Sequence, residues 1–177
     1  MAKAVEIRPL SREDDRSGLS CGQADLDRYF EHYAGQNQFK LHLAVTYVAV
    51  VEGRVVGFAS VAASSLERAS LPSERMRRRL PGYPLPVLRL GRLGVDTRAQ
   101  GLGIGKALLR HVLVLAIEQR DRIGCIGVVT DAKPDAVGFY ERLGFEALSG
   151  VREGLLVGDP VPMFLGIETI AATTTQP

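Results

Sequence analysis

The 177-residue sequence predicts a mixed α/β (α+β) fold, with helices and hairpin strands alternating around one sheet. Three stretches predict it. Leu43 to Val51 and Val55 to Ala63 are β-rich runs joined by the tight turn Glu52-Gly53-Arg54, a hairpin pattern. Val87 to Val95 is an apolar run that passes through a glycine-rich turn into a long apolar-periodic segment, roughly Gly103 to Arg120. Gly124 to Val129 reads as a buried strand, and Pro134 to Leu143 as the helix after it.

The remaining elements follow in order. Val5 to Leu10 reads as a first strand. Ser20-Cys21-Gly22-Gln23 has the spacing of a capping box, ahead of a helix carrying Leu26, Tyr29, Phe30 and Tyr33 on one side. That helix is expected to fade near Gln36-Asn37-Gln38. Pro72 suits the first turn of a short helix, Ser73 to Leu80, on which Arg75, Arg78 and Arg79 share a face. Pro81-Gly82-Tyr83-Pro84 breaks it. In the strand 87–95, Gly91 and Gly94 point to a bulge or a close backbone approach. Gly144 sits where a left-handed helix cap is expected, Phe145 opens a further strand, and Val161 to Ile167 is the last one. A single domain over 1–167 and a disordered tail over 168–177 are expected.

Composition excludes several classes. No apolar run approaches the roughly 20 residues that a membrane helix needs, and the start lacks the apolar core of a signal peptide, so a cytoplasmic protein is expected. Cys21 and Cys125 lie far apart without a Cys-x-x-Cys pattern and read as reduced and buried. His32, His42 and His111 have no metal-ligand spacing, and no metal site is expected. The net charge of +2 hides an asymmetry: residues 66–98 hold eight arginines against three acids. Such clustering favours a polyanionic partner, although a run of arginines alone can be a solvated helix face.

Gln100-Gly101-Leu102-Gly103-Ile104-Gly105 joins the strand to the long helix. Glycines there can aim several N–H groups into one concavity, and a helix N-terminus adds unpaired donors and partial positive charge. The turn is either a bare connection or an anion site suited to phosphate. A Walker A loop is excluded, because the glycine spacing is wrong and Ala107 follows Lys106. The strictly alternating glycines also miss the Gly-x-Gly-x-x-Gly dinucleotide fingerprint.

About forty residues on lies Phe139-Tyr140-Glu141-Arg142-Leu143-Gly144-Phe145. In order and spacing, these two stretches resemble the hallmarks of the GNAT superfamily of N-acetyltransferases over roughly residues 43 to 165. A narrower resemblance adds Leu19-Ser20-Cys21-Gly22-Gln23-Ala24-Asp25-Leu26-Asp27-Arg28-Tyr29, Gln36-Asn37-Gln38 and Arg92-Leu93-Gly94-Val95-Asp96. These look like GNAT-type toxins of bacterial toxin–antitoxin pairs, which acetylate the α-amine of aminoacyl-tRNA.

The resemblance implies a mixed, mostly antiparallel central sheet flanked by helices, acetyl-CoA as co-substrate, a ribbon-helix-helix antitoxin and a homodimer. It places the pyrophosphate on residues 100–105 and the pantetheine arm on main-chain groups of Leu93 and Val95. Tyr140 becomes the candidate general acid, since a phenol with an ordinary pKa of ~10 stays protonated at neutral pH. Phe139 and Leu143 are then expected to face the core, with Tyr140 off that stripe.

One departure is informative. Many GNAT enzymes carry a glutamate base on the strand before the loop, whereas residues 87–95 hold no acid and carry Arg89 and Arg92. Asp96 and Glu141 are poor substitutes. A lysine amine, at ~10.4, would need strong deprotonation, while an α-amine near ~7.7–8.0 is already substantially neutral. Arg75, Arg77, Arg78, Arg79, Arg89 and Arg92 are expected to meet RNA phosphate, although Arg89 and Arg92 could instead pair across a dimer interface. Asn37 either hydrogen-bonds substrate or ends its helix. An N-acetyltransferase of small molecules or protein N-termini and a non-catalytic acyl-CoA-binding regulator are the alternatives.

Overall fold

The computed structural model describes residues 3–150 and 158–174. Its fold is mixed α/β, with seven strands in a mostly antiparallel sheet and flanking helices. The chain divides into two compact units, Met1–Ala62 with Leu90–Val112, and Ala63–Arg89 with Leu113–Pro177.

In the first unit, β1 (Glu6–Pro9) pairs antiparallel with β2 (Val45–Val51), which pairs antiparallel with β3 (Arg54–Leu66) through the expected turn. The second half of β4 (Leu85–Val95) follows β3 in strand order. α1 (Ala24–Arg28), a π-helical turn (Tyr29–Tyr33) and α2 (Ala34–Phe39) run on without a break. Phe30 stacks on Phe58 at 4.5 Å between ring centroids, within a cluster that includes Leu10, Cys21, Leu26 and Val48. Gly94 is a close approach, as the sequence implied, because a Cβ there would come within 2.8 Å of the Phe58 ring. α4 (Ile104–Arg122) begins in this unit, with Leu108, Leu109 and Val112 buried.

The N-terminal cap differs from expectation. Gln23 occupies the cap position and makes no side-chain capping bond, and no Ser20 box forms. Ser20 is instead drawn to a distant partner: its N–H donates to Asp96 and its carbonyl accepts from the Thr97 N–H. The local segment is held by Asp27, whose carboxylate accepts from the Cys21 N–H. The helix also continues past Gln38 to Phe39.

The second unit holds the first half of β4, then β5 (Gly127–Ala132), β7 (Val161–Gly166) and β6 (Glu146–Ala147), in the order β4-β5-β7-β6. β5 and β6 both pair antiparallel with β7. α3 (Glu74–Arg79) is capped by Ser73, whose hydroxyl accepts from the Met76 N–H. α5 (Val137–Arg142) ends at Gly144, which takes the expected left-handed φ of 96°. β5 starts three residues later than its apolar run implied. Gly124, at φ 103°, closes the end of α4 by bonding to the Gln119 carbonyl, so the chain reaches its β7 partner only at Gly127.

The expected disordered tail is corrected over residues 168–174. α6 (Ile167–Thr174) is helical and anchored by the fully buried Ile170. The hydroxyls of Thr173 and Thr174 bond back to carbonyls one turn earlier, which satisfies groups that a threonine-rich sequence would otherwise leave to solvent. The rest of that expectation, 175–177, lies outside the described residues.

Candidate active site

The glycine-rich loop belongs to the first unit. After Val95 the chain makes a tight turn at Thr97–Ala99 and reaches α4 at Ile104. Asp96, only 2% exposed, holds this turn. Its carboxylate accepts from the Arg98 side chain at 3.0 Å and from the N–H groups of Arg98 and Ser20. The Arg98 guanidinium, aided by those N–H bonds, holds the Asp96 carboxyl well below the usual carboxylate range. Asp96 is thus a structural anion and no free base.

Gln100 turns its side chain inward. Its amide donates to the carbonyls of Cys21 (3.1 Å) and Val95 (3.0 Å), so only its main chain is left to serve a ligand. The same bond engages Val95, one of the two strand residues expected to receive a pantetheine arm. Gly101 and Gly103 adopt φ values of 80° and 83°, and no atom lies within 4 Å of a Cβ placed on either. Glycine is required there by backbone conformation, not by lack of room. The Gly103 carbonyl accepts from the Ala107 N–H, so the amides of Ile104, Gly105 and Lys106 are first-turn donors. Ile104 buries its side chain while contributing its amide, and Leu102 stands exposed. Two left-handed glycines with open space, ahead of a 19-residue helix, fit a pyrophosphate.

Tyr140 belongs to the second unit. It is 5% exposed, packed edge-on against Phe139 and Phe145 with ring centroids 5.2 Å away in both cases. This reverses the expected arrangement: Tyr140 is the buried residue of α5, while Phe139 and Leu143 are only half-buried. A six-residue helix is too short for an i, i+4 stripe to define its inner face, and the chain folds back after Gly144 to bring Phe145 onto the ring. Burial pushes the phenol up to about 12, opposed by a side-chain hydrogen bond with Thr130. The hydroxyl therefore keeps its proton at neutral pH.

The arginines divide by what they touch. Arg75, Arg78 and Arg79 form the exposed face of α3 as the spacing implied, whereas Arg77 turns back and donates to the Leu71 carbonyl. Arg78 pairs with Glu74 at 2.6 Å and Arg79 with Glu168 at 3.5 Å. Arg89 bonds Ser64 and Asp131, the latter at 3.3 Å, within its own chain. Arg92 lies in the first unit over the face of Tyr29. Asn37 does not end its helix; its side-chain amide donates to the Tyr29 hydroxyl. Sequence reasoning missed Thr130 and Asp131, whose signal was a polar pair closing an apolar strand, and gave Tyr29, part of a helix face and of the toxin-like opening, no role of its own.

Residues 42–147 match the acetyltransferase (GNAT) domain family. The chain is a GNAT acetyltransferase. It is 36% identical over 140 residues to the tRNA-acetylating toxin of Mycobacterium tuberculosis, covering 78% of this chain and 82% of that protein. It is 30% identical over 175 residues to the probable toxin TacT of Sinorhizobium fredii, covering 93% and 92%. Among solved structures it resembles AtaTR bound with acetyl-CoA, at a TM-score of 0.78 and 25% identity over 99% of this chain and 100% of that one. A mutant of KacT has the same fold at a TM-score of 0.85 and 24% identity, covering 96% and 98%.

This GNAT acetyltransferase is an acetyl-CoA-dependent N-acetyltransferase. When bound, acetyl-CoA supplies the acetyl group as an activated thioester. In the first unit the loop offers first-turn amides of the kind that suits phosphate; in the second, burial keeps the Tyr140 hydroxyl protonated.

Proposed function

We propose that this enzyme transfers the acetyl group to the α-amine of aminoacyl-tRNA, and so blocks translation as the cytoplasmic toxin of a toxin–antitoxin pair. The observation that carries the reading is β4: it holds no carboxylate, and it presents Arg89 and Arg92. With no base on that strand, the acceptor has to arrive already neutral, which an α-amine near pKa ~7.7–8.0 does and a lysine near ~10.4 does not. Guanidinium groups beside it match a phosphate-bearing acceptor. The similarity to a tRNA-acetylating toxin supports the same reading.

In the reaction the amine nitrogen bonds to the acetyl carbon as the carbon–sulfur bond breaks. Tyr140 gives its proton to the sulfur, and the surplus amine proton, passed through solvent, restores the phenol. The exposed arginines of α3 supply the wider electrostatic footprint for RNA. A ribbon-helix-helix antitoxin and a homodimeric toxin complete the proposal.

The deciding experiment incubates the enzyme with acetyl-CoA and charged total tRNA, then releases the amino acids and identifies acetylated ones by mass spectrometry. Acetylation of a subset of aminoacyl adducts, with free amino acids untouched, is expected. Acetylation of free amino acids or peptides alone would replace the reading with a metabolic or protein N-acetyltransferase.

A further inference from the structure

We propose that Tyr29 is a positioning residue for the acceptor, an aromatic platform that holds Arg92 ready to meet a phosphate of the RNA. The proposal rests on the aminoacyl-tRNA reading and names a residue for it outside the matched family span, which begins at residue 42. The Arg92 guanidinium lies 4.6 Å from the centroid of the Tyr29 ring, within cation–π range. The Arg92 side chain also donates a hydrogen bond to the neighbouring Gly91 carbonyl, and among the described residues it forms no ion pair. Arg89, by contrast, is tied to Asp131. Arg92 thus has no counter-ion among the described residues while its orientation is fixed by a neutral surface, which suits a group meant for an incoming anion.

The platform is itself held. Tyr29 packs against the core of the first unit, and its hydroxyl accepts a long hydrogen bond, 3.5 Å, from the Asn37 amide. The π turn makes that bond possible. The Ala34 N–H bonds to the Tyr29 carbonyl five residues back, so one residue is added without adding a turn. On a plain α-helix, at about 100° per residue, eight residues would leave Tyr29 and Asn37 roughly 80° apart. With the π turn those eight do the work of seven, and the angle closes to about 20°. π turns of this kind recur at functional sites.

The test measures tRNA binding directly at fixed salt, alongside KM and kcat for acetylation. Tyr29→Leu is expected to weaken tRNA binding and raise the KM for aminoacyl-tRNA about two- to five-fold, the size of a lost exposed cation–π contact. The kcat and the KM for acetyl-CoA stay unchanged. Tyr29→Phe, which keeps the ring, restores binding. Arg92→Lys, an exposed change that keeps the charge but loses the planar stack, reproduces the Tyr29→Leu effect and guards against a folding failure at position 29. In an Arg92→Ala background Tyr29→Leu adds nothing. Wild-type affinity in both Tyr29→Leu and Arg92→Lys overturns the proposal, as does a Tyr29→Leu effect that persists without Arg92. Binding without acetylation would sink the aminoacyl-tRNA reading while leaving the variant comparison intact, and a wild-type enzyme that binds no tRNA overturns both.

Discussion

A phenol enclosed by Phe139 and Phe145 ionises poorly in low dielectric, so Tyr140 is protonated at neutral pH, the form in which its hydroxyl can donate and cannot serve as a base. Tyr140→Phe keeps the ring and its packing. It is expected to leave the melting temperature and acetyl-CoA affinity near wild type while lowering kcat by roughly 10²–10⁴, the usual contribution of general acid catalysis. Near-wild-type turnover would remove Tyr140 from the mechanism. Gly103→Ala tests the loop. The space is open, so the cost is the left-handed backbone, about 1–2 kcal/mol for a residue with a Cβ, felt as a higher KM for acetyl-CoA. Asp96 gives a pH signature. Its folded carboxyl is depressed by Arg98, so its stabilisation is present above the unfolded value of ~3.9 and is lost as pH falls through the folded one. Asp96→Asn should therefore be less stable than wild type at neutral pH in urea melts, with the gap narrowing below about pH 4.

At the scale of elements, α3 is a short helix that ends in Arg77, Arg78 and Arg79, where cations complement the helix dipole. Reversing Arg78 and Arg79 to Glu would set acids beside Glu74 and Glu168 as well as remove two exposed cations. The expected result is weaker tRNA binding, with the slope against log salt reduced by about one per lost contact, and unchanged acetyl-CoA binding. Equal tRNA affinity at matched salt would take α3 out of the RNA surface. The hairpin, the loop and α4 were legible because each is written in consecutive residues: a turn tripeptide, alternating glycines, an apolar stripe. What escaped depends on residues far apart in the chain. The Ser20 capping box is locally plausible and loses to Asp96, 76 positions away. The π turn has no distinct pattern, since Leu26, Tyr29, Phe30 and Tyr33 also fit a plain helix. The tail helix escaped because its threonines disfavour helix locally, and only the burial of Ile170 outweighs them.

At the scale of the molecule, the segment ahead of the matched family span supplies much of what fixes the glycine-rich loop and Arg92: Ser20, Cys21, Tyr29 and Asn37 all lie before residue 42. The charge asymmetry of residues 66–98 follows from two pieces, exposed α3 and the arginines of β4. Among the described residues no helix is long and apolar enough to cross a membrane. The two free cysteines are both buried, Cys21 in the first unit and Cys125 in the second, and burial raises both thiols, Cys21 to about 11. A thiolate is the reactive form, so neither should react until its surroundings open. With a soluble thiol reagent and peptide mass mapping, each sulfur becomes a stopwatch for its own half of the enzyme. Because the Cys21 carbonyl is tied to Gln100, saturating acetyl-CoA is expected to slow the Cys21 stopwatch. Labelling of Cys21 at the rate of a free thiol would show that the Gln100 latch on the glycine-rich loop is open in solution.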